Sequence, residues 1–538
     1  MRRSQPYSLS RPAGLGRGAD QRVEHSEAGE GAGESLHRGI ITICTMGATL
    51  MQALDQTIAN VALPYMQGSL SASYDEITWV LTSYITAAAI MTAPVGWMAQ
   101  RYGRKRLFVG CLVGFTITSM LCGAATTLSQ MVLFRIMQGV CGAALVPLSQ
   151  ATLLDIYPIE QRGNAMAIWG VGVMIGPILG PTLGGYLTEI YNWRWVFYVN
   201  LPFGILATGG LLIFMPNARG QSSLRFDWIG FAALSMGIGA LQLMLDRGQD
   251  QDWFSSREII TEAVLASLGT YLFIVHLLSA KRPFIRPILF KDRNFAAGIA
   301  MMFAMGTILV SSSALMAPWL QGLGNYPVET AGLVMAPRGI GTMGAMMLAG
   351  RLAAKTDPRK LMALGVLLLC WSLWQMTHWT PDVAQSTLII AIIVQGAGLG
   401  FVFIPLQVIA FATLAPGLRT DGASLFSLFR NIGAAIGVSI TSGLLAHNTQ
   451  ALHAEIGAYV TPFNRALQTG AVRHLWDPAN AHGAALLDRI VNQQAQIIAY
   501  MDDYKLMIFT TLPALLLLVL MRRPRAAVAP ADAHAAMD

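Results

Sequence analysis

Apolar residues in this chain run in long uninterrupted blocks rather than in short alternations. No Asp, Glu, Lys or Arg interrupts Ile77 to Gln100, Leu107 to Phe134, Gly163 to Thr188, Trp195 to Ala218 or Asn294 to Val328. Blocks of this length cross the hydrocarbon core of a bilayer as helices. They lack the period-two pattern of a membrane β-barrel. The pattern predicts helical spans near residues 39–62, 77–98, 107–127, 131–153, 164–187 and 195–215. A pair follows near 228–248 and 260–280. Six more fall near 294–317, 331–350, 360–380, 384–412, 423–446 and 503–521. The expectation is an all-α polytopic membrane protein of fourteen transmembrane helices, arranged 6+2+6.

That count divides the chain into a disordered cytoplasmic tail (1–38), a six-helix bundle (39–215), an inserted two-helix segment (216–293), a second six-helix bundle (294–521) and a short tail (522–538). A diluted repeat supports the division. The loop from Gly96 to Arg106 has a counterpart from Gly350 to Lys360, and Arg162-Gly163-Asn164-Ala165 is echoed by Arg419-Thr420-Asp421-Gly422-Ala423. Two parallel units of this kind enclose a central site in one large class of secondary transporters. One connection differs from the rest. Residues 447–502 are long, and Leu486, Leu487, Ile490, Val491, Ile497, Ile498 and Met501 recur at helical spacing, which predicts an amphipathic helix leading into the last span. It is either a plain connector or a docking surface for another protein.

Composition narrows the class. Only 12% of the 538 residues are charged and 54% are hydrophobic, which excludes a disordered chain and a surface mostly dissolved in water. A net charge of +7 would suggest nucleic acid in a soluble protein, but here the basic residues flank apolar blocks, so no nucleic-acid partner is expected. With the amino terminus inside, most basic residues fall in inward loops, including Arg101, Arg104, Lys105, Arg106, Arg162, Arg286, Arg351 and Arg419. The positive-inside bias then puts both termini in the cytoplasm, and the basic loops either hold that orientation or bind the anionic headgroups of membrane lipids. The five cysteines lie in or beside apolar blocks without metal or disulfide spacing. No phosphate-binding loop is present and the nine histidines form no metal motif, so no cofactor and no enzymatic activity are expected.

Charges inside spans are the informative exceptions, because an ionised group in hydrocarbon is costly and faces a bundle interior or a water-filled cavity. Asp55 lies well within the first span, with Gln56, Thr57 and Asn60 as candidate hydrogen-bonding neighbours. It can take up and release a proton, pair with a cationic substrate, or serve as a satisfied packing carboxylate. Arg135 stays charged when buried and so requires water, carbonyls or a carboxylate nearby. It either tunes Asp55 or fixes helix ends. Arg338 and Arg430 lie nearer span ends, where they can snorkel. Glycines recur every four residues at Gly172, Gly176, Gly180 and Gly184, a smooth ridge for a closely packed helix, and Pro177 and Pro181 favour a bend. Gly96 and Gly103 bracket a compact turn before Arg104, which suits either a latch or an orientation signal.

These residues together resemble the fourteen-span drug:proton antiporters of the major facilitator superfamily, in particular their EmrB-type branch, over about residues 39–521. Leu54-Asp55-Gln56-Thr57-Ile58-Ala59-Asn60-Val61-Ala62-Leu63-Pro64 looks like the family's first-span signature. Gly96 to Arg106 looks like its gating loop, and Arg135 with Gln138 and Gly139 like its proton-transfer motif. Gly176, Gly180, Pro181, Gly184 and Gly185 resemble the antiporter motif of exporters. The gating loop commonly has Asp where this chain has Gln100. The resemblance implies proton-coupled export of lipophilic compounds across a bacterial inner membrane, driven by the proton gradient. It further implies a periplasmic adaptor, which 447–502 would contact, and an outer-membrane channel. A carrier for one metabolite, lipid or siderophore would use the same fold.

Overall fold

The computed structural model describes residues 17–217, 224–249, 251–281, 283–353, 355–461 and 480–522. Its principal helices are α1 (Arg17–Ser69), α2 (Trp79–Thr92), α3 (Val95–Tyr102), α4 (Arg104–Ala124), α5 (Leu128–Gly142) and α6 (Leu145–Ile156). Then come α7 (Ile159–Ile190), α8 (Asn200–Phe214), α9 (Trp228–Arg247), α10 (Arg257–Ser279) and α11 (Arg293–Pro318). The last are α12 (Pro337–Ala353), α13 (Pro358–Met376), α14 (Gln385–Ala412), α15 (Arg419–Gly457), α16 (Ala481–Thr511) and α17 (Ala514–Leu520).

The expected count of fourteen transmembrane helices in a 6+2+6 arrangement is corrected by this structure. Among the described residues, ten helices are long and apolar enough to cross a membrane, or eleven if α2 and α3, bent by 59° at their break, are one span. Three expected spans fall short for physical reasons. The block at 39–62 is helical throughout, but Thr42, Thr45, Thr49, Gln52, Asp55 and Gln56 dilute its apolar content. The block at 331–350 is split, and α12 has only 17 residues with four glycines among them. The block at 360–380 gives α13, which carries Arg359 and Lys360 in its first turn and Gln375 in its last. The bend between α2 and α3 falls at Pro94, which has no backbone N–H to continue the ladder.

Helix α1 begins at Arg17, inside the stretch expected to be a tail, while residues 1–16 and 523–538 lie outside the described residues. At the other end, α15 runs on to Gly457 and α16 begins at Ala481, so the connection expected over 447–502 is largely two helical extensions; residues 462–479 lie outside the described residues. Leu487, Val491 and Ile497 face inward while Ile498 is 37% exposed, and His453 meets Asp488 at 2.9 Å across the two extensions.

Two compact apolar cores, one around Phe108, Leu112 and Phe115 and one around Ile58, Val80 and Phe197, join α1 to α8. A larger core joins α11 to α17 and takes in Met166, Trp169 and Val173 of α7. The seam between these regions runs through α7, where Gly163 and Gly350 meet backbone to backbone and the rings of Trp169 and Phe403 stack at 6.5 Å. Helices α9 and α10 touch through Gly237 and Gly269. Outward, large apolar side chains such as Leu206, Ile213, Leu278 and Val519 are left exposed, as a lipid-facing surface requires.

Candidate functional site

Asp55 sits on α1 with its carboxylate sealed from solvent, and two helices distant in sequence, α5 and α8, converge on it. Arg135 Nη1 donates to Asp55 Oδ2 at 2.7 Å. Gln138 lies one turn from Arg135 on α5, so both side chains share a face; Gln138 Nε2 donates to Asp55 Oδ1 at 2.8 Å while its own Oε1 accepts from Arg135 Nη1 at 2.8 Å. Asn200, the first residue of α8, donates from Nδ2 to Asp55 Oδ1 at 3.2 Å and to Ser119 Oγ at 2.9 Å. All four side chains are at most 1% exposed. Arg135 Nε donates to the Val80 carbonyl at 3.0 Å, and the guanidinium lies 4.3 Å from the Tyr84 ring centroid.

This is a buried ion pair with its lone pairs nearly saturated. It is stable only while both charges persist, since removing either leaves the other uncompensated at low dielectric. The pair therefore ties α1, α5 and α8 together at one buried point.

The structure brings Asp55, Arg135 and Gln138 together and leaves Asn60 out. Asn60 is exposed; five residues along a helix is a rotation of about 140° from Asp55. Asn200 takes the place expected of it. Thr57 bonds instead to the Ala53 and Leu54 carbonyls and, at 3.3 Å, to the Gly176 carbonyl.

The glycine ridge of α7 packs on this same helix. A β-carbon at Gly172 would come within 2.0 Å of Met46 Cγ, at Gly176 within 2.6 Å of the Ala53 Cβ, and at Gly180 within 2.0 Å of Thr57 Oγ1. Gly184 abuts Ile58, whereas Gly185 faces open space. Pro177 and Pro181 stand within one continuous helix, Ile159–Ile190.

A second polar cluster closes the end of the molecule that carries the basic loops. Gly103, with φ of 87°, makes the turn between α3 and α4 in a conformation that glycine adopts without strain. Arg104 pairs with Asp155, and Arg419 pairs with the same carboxylate at 2.6 Å, tying α4 and α6 to α15. Gln100 Nε2 donates to both Asp421 oxygens, at 2.9 and 3.1 Å, and its Oε1 accepts from Arg286. Gly96 allows the approach: a β-carbon there would lie 1.9 Å from Asp421 Oδ1. Thus the acid usual in the gating loop is supplied from α15. Gln150 and Gln407 add a buried contact between α6 and α14 at 3.0 Å. Asp155 and Asp421 were not among the expected site residues, although Asp421 stands in the internal repeat.

A cavity of about 640 Å³ opens beside Met91, Arg101, Arg106 and Cys141 and does not include the Asp55 cluster. Among the described residues, no group of three or more His, Cys, Asp or Glu side chains is placed to hold a metal ion.

The general Major Facilitator Superfamily model matches residues 45–438, which spans both polar clusters. The chain belongs to the major facilitator superfamily. As a major facilitator it is a multi-pass membrane transporter and not an enzyme. It is 36% identical over 431 residues to the multidrug export protein EmrB of Escherichia coli (strain K12), covering 79% of this chain and 83% of that one. It is 35% identical over 463 residues to the fatty acid resistance protein FarB of Neisseria gonorrhoeae, covering 85% and 91%. The crystal structure of the human organic anion transporter MFSD10 (TETRAN) superposes with a TM-score of 0.58 at 14% identity, covering 88% of this chain and 99% of that one, a likeness of fold.

Proposed function

We propose that this facilitator exports lipophilic compounds across the bacterial inner membrane in exchange for protons. The observation that carries this is the sealed Asp55–Arg135 pair, an ionisable group at the junction of three helices. Proton entry to Asp55 resets the transporter after substrate release, with Arg135 and Gln138 controlling when that carboxylate is free. The bundles 39–215 and 294–521 rock about the α7 seam, and the 216–293 segment rides between them. Closure at the basic end through Gln100, Asp421 and Asp155 blocks the cytoplasmic side in this state. Similarity to EmrB supports a multidrug spectrum and work as permease of a tripartite system, with a periplasmic adaptor seated on the extended ends of α15 and α16 and an outer-membrane channel beyond. Both termini are then cytoplasmic.

The narrower reading, export of one metabolite, lipid or siderophore, draws on similarity to FarB, whose name refers to fatty acids. Purified protein in liposomes separates these readings. Flux of several unrelated lipophilic compounds that follows an imposed pH gradient is the expected result. Flux indifferent to the gradient contradicts proton exchange, and flux of a single compound favours the narrower reading.

A further inference from the structure

The second half of the chain buries an arginine that has no counter-charge. Arg338, the second residue of α12, is 9% exposed and reaches across to α11. There it donates to Ser313 Oγ, to Ser312 Oγ at 2.9 Å and to the Leu309 carbonyl at 3.0 Å, all neutral acceptors. Its Nε finds no acceptor among the described residues, nor does the Oγ of fully buried Ser311. No carboxylate among the described residues lies within 4 Å of the guanidinium, in contrast to Arg104, Arg135, Arg247, Arg286, Arg359 and Arg419, each of which meets one.

The first half resolves the same problem differently. The repeat that pairs Gly96 with Gly350 and Arg162 with Arg419 carries Asp55 onto the stretch from Leu309 to Ser312. So both halves aim a guanidinium at the corresponding turn of their leading helix, and only the first half has an acid there. A guanidinium does not shed its proton, and burying it against neutral groups alone is costly. Its position is also at the contact between the two halves. Gly339, the next residue, presses on Ile178 of α7, so close that a β-carbon would come within 1.8 Å of Ile178 Cδ1. Arg338 thus stands at the seam between the halves, beside the glycine ridge. Half-buried Arg430, whose carbonyl abuts Gly306 of α11, adds a second cation without an ion pair among the described residues.

We propose that Arg338 binds the acidic group of an amphipathic organic anion, which supplies in transit the carboxylate that the second half lacks. This deepens the export reading and rests on it only for the claim that the bound anion is cargo. Binding is therefore measured apart from flux, on the purified full chain in detergent, with radiolabelled dodecanoate against dodecanol. The wild type is expected to prefer dodecanoate by about tenfold or more, as charge-assisted hydrogen bonds give. Arg338→Gln is expected to abolish the preference and Arg338→Lys to keep part of it. Equal affinity of the wild type for acid and alcohol overturns the proposal without need of any variant. Retention of the preference in a folded Arg338→Gln protein overturns it as well, as does displacement of dodecanoate by equimolar acetate, which marks a site for small anions. A preference for dodecanoate without proton-coupled flux leaves the anion site standing and removes the export reading.

Discussion

Arg135 and Asp55 meet at 2.7 Å with neither side chain accessible to solvent, although 80 residues separate them in the chain. Neither charge is tolerable alone at that depth. Asp55→Asn and Arg135→Gln should each lower stability by about 3–5 kcal/mol, and the double substitution by clearly less than their sum. Thermal unfolding of purified protein in detergent, run as a double-mutant cycle, gives the coupling. Simple additivity is incompatible with an ion pair.

Asn200 and Asn60 separate the site from its near neighbours. Asn200→Ala removes a donor from Asp55 and leaves Ser119 with one partner fewer, so proton-coupled flux should fall about tenfold, the worth of about one hydrogen bond to a charged group. Asn60→Ala touches nothing in the cluster and should leave flux unchanged. Transport assays in liposomes at matched protein loading decide between them; equal losses would mean that Asn60 joins the site in another state.

How these residues read in the sequence follows from the physics of each. Asp55 and Arg135 stand out because a charge in an apolar block has few reasons to be there, whereas Gln138 is marked only by the resemblance of its motif to the family's. Asn200 carries no such mark: asparagine near the end of an apolar block is ordinary, and its role arises only when α8 folds against α1. Asn60 was drawn in by nearness along the chain, which a helix converts into a turn to the opposite side. The same blindness inflated the span count. Hydrophobic blocks report lipid exposure, whereas α1 and α12 put polar or glycine-rich faces into the bundle, and α13 carries Arg359 and Lys360 in its first turn, so all three fall below a membrane span in apolar content. The all-α membrane architecture was legible because it rests on the block pattern as a whole.

Gln100 and Asp421 join the two halves at the basic end through an amide, where the family pattern commonly has an acid. Restoring that acid should therefore be harmful here. Gln100→Asp places two carboxylates in contact, with Arg286 alone to offset them, and should open the basic end. Adding Asp421→Asn should restore closure. Accessibility of a cysteine placed at Gly417 to a membrane-impermeant thiol reagent reads the state, on a background freed of native cysteines. A Gln100→Asp protein as protected as the wild type would contradict this latch.

Two glycines of α7 should respond in opposite ways. At Gly180 an added methyl group collides with Thr57, and Gly180→Ala should cost about 1–3 kcal/mol and slow transport. At Gly185 the space is open, and Gly185→Ala should be neutral or stabilising by up to about 1 kcal/mol through helix propensity. Unfolding temperature and flux, measured side by side for both, check the ridge. Similar effects at the two positions would show that α7 does not hold its contact with α1 during transport.

The central claim is that Asp55 carries the proton exchanged for substrate. Proton release on substrate addition, followed with a pH-sensitive dye in weakly buffered detergent solution, tests it most directly. The wild type should release protons in proportion to bound substrate. Asp55→Asn/Arg135→Gln, folded and still binding substrate, should release none. Undiminished release from that variant would contradict the account and move the proton to another group.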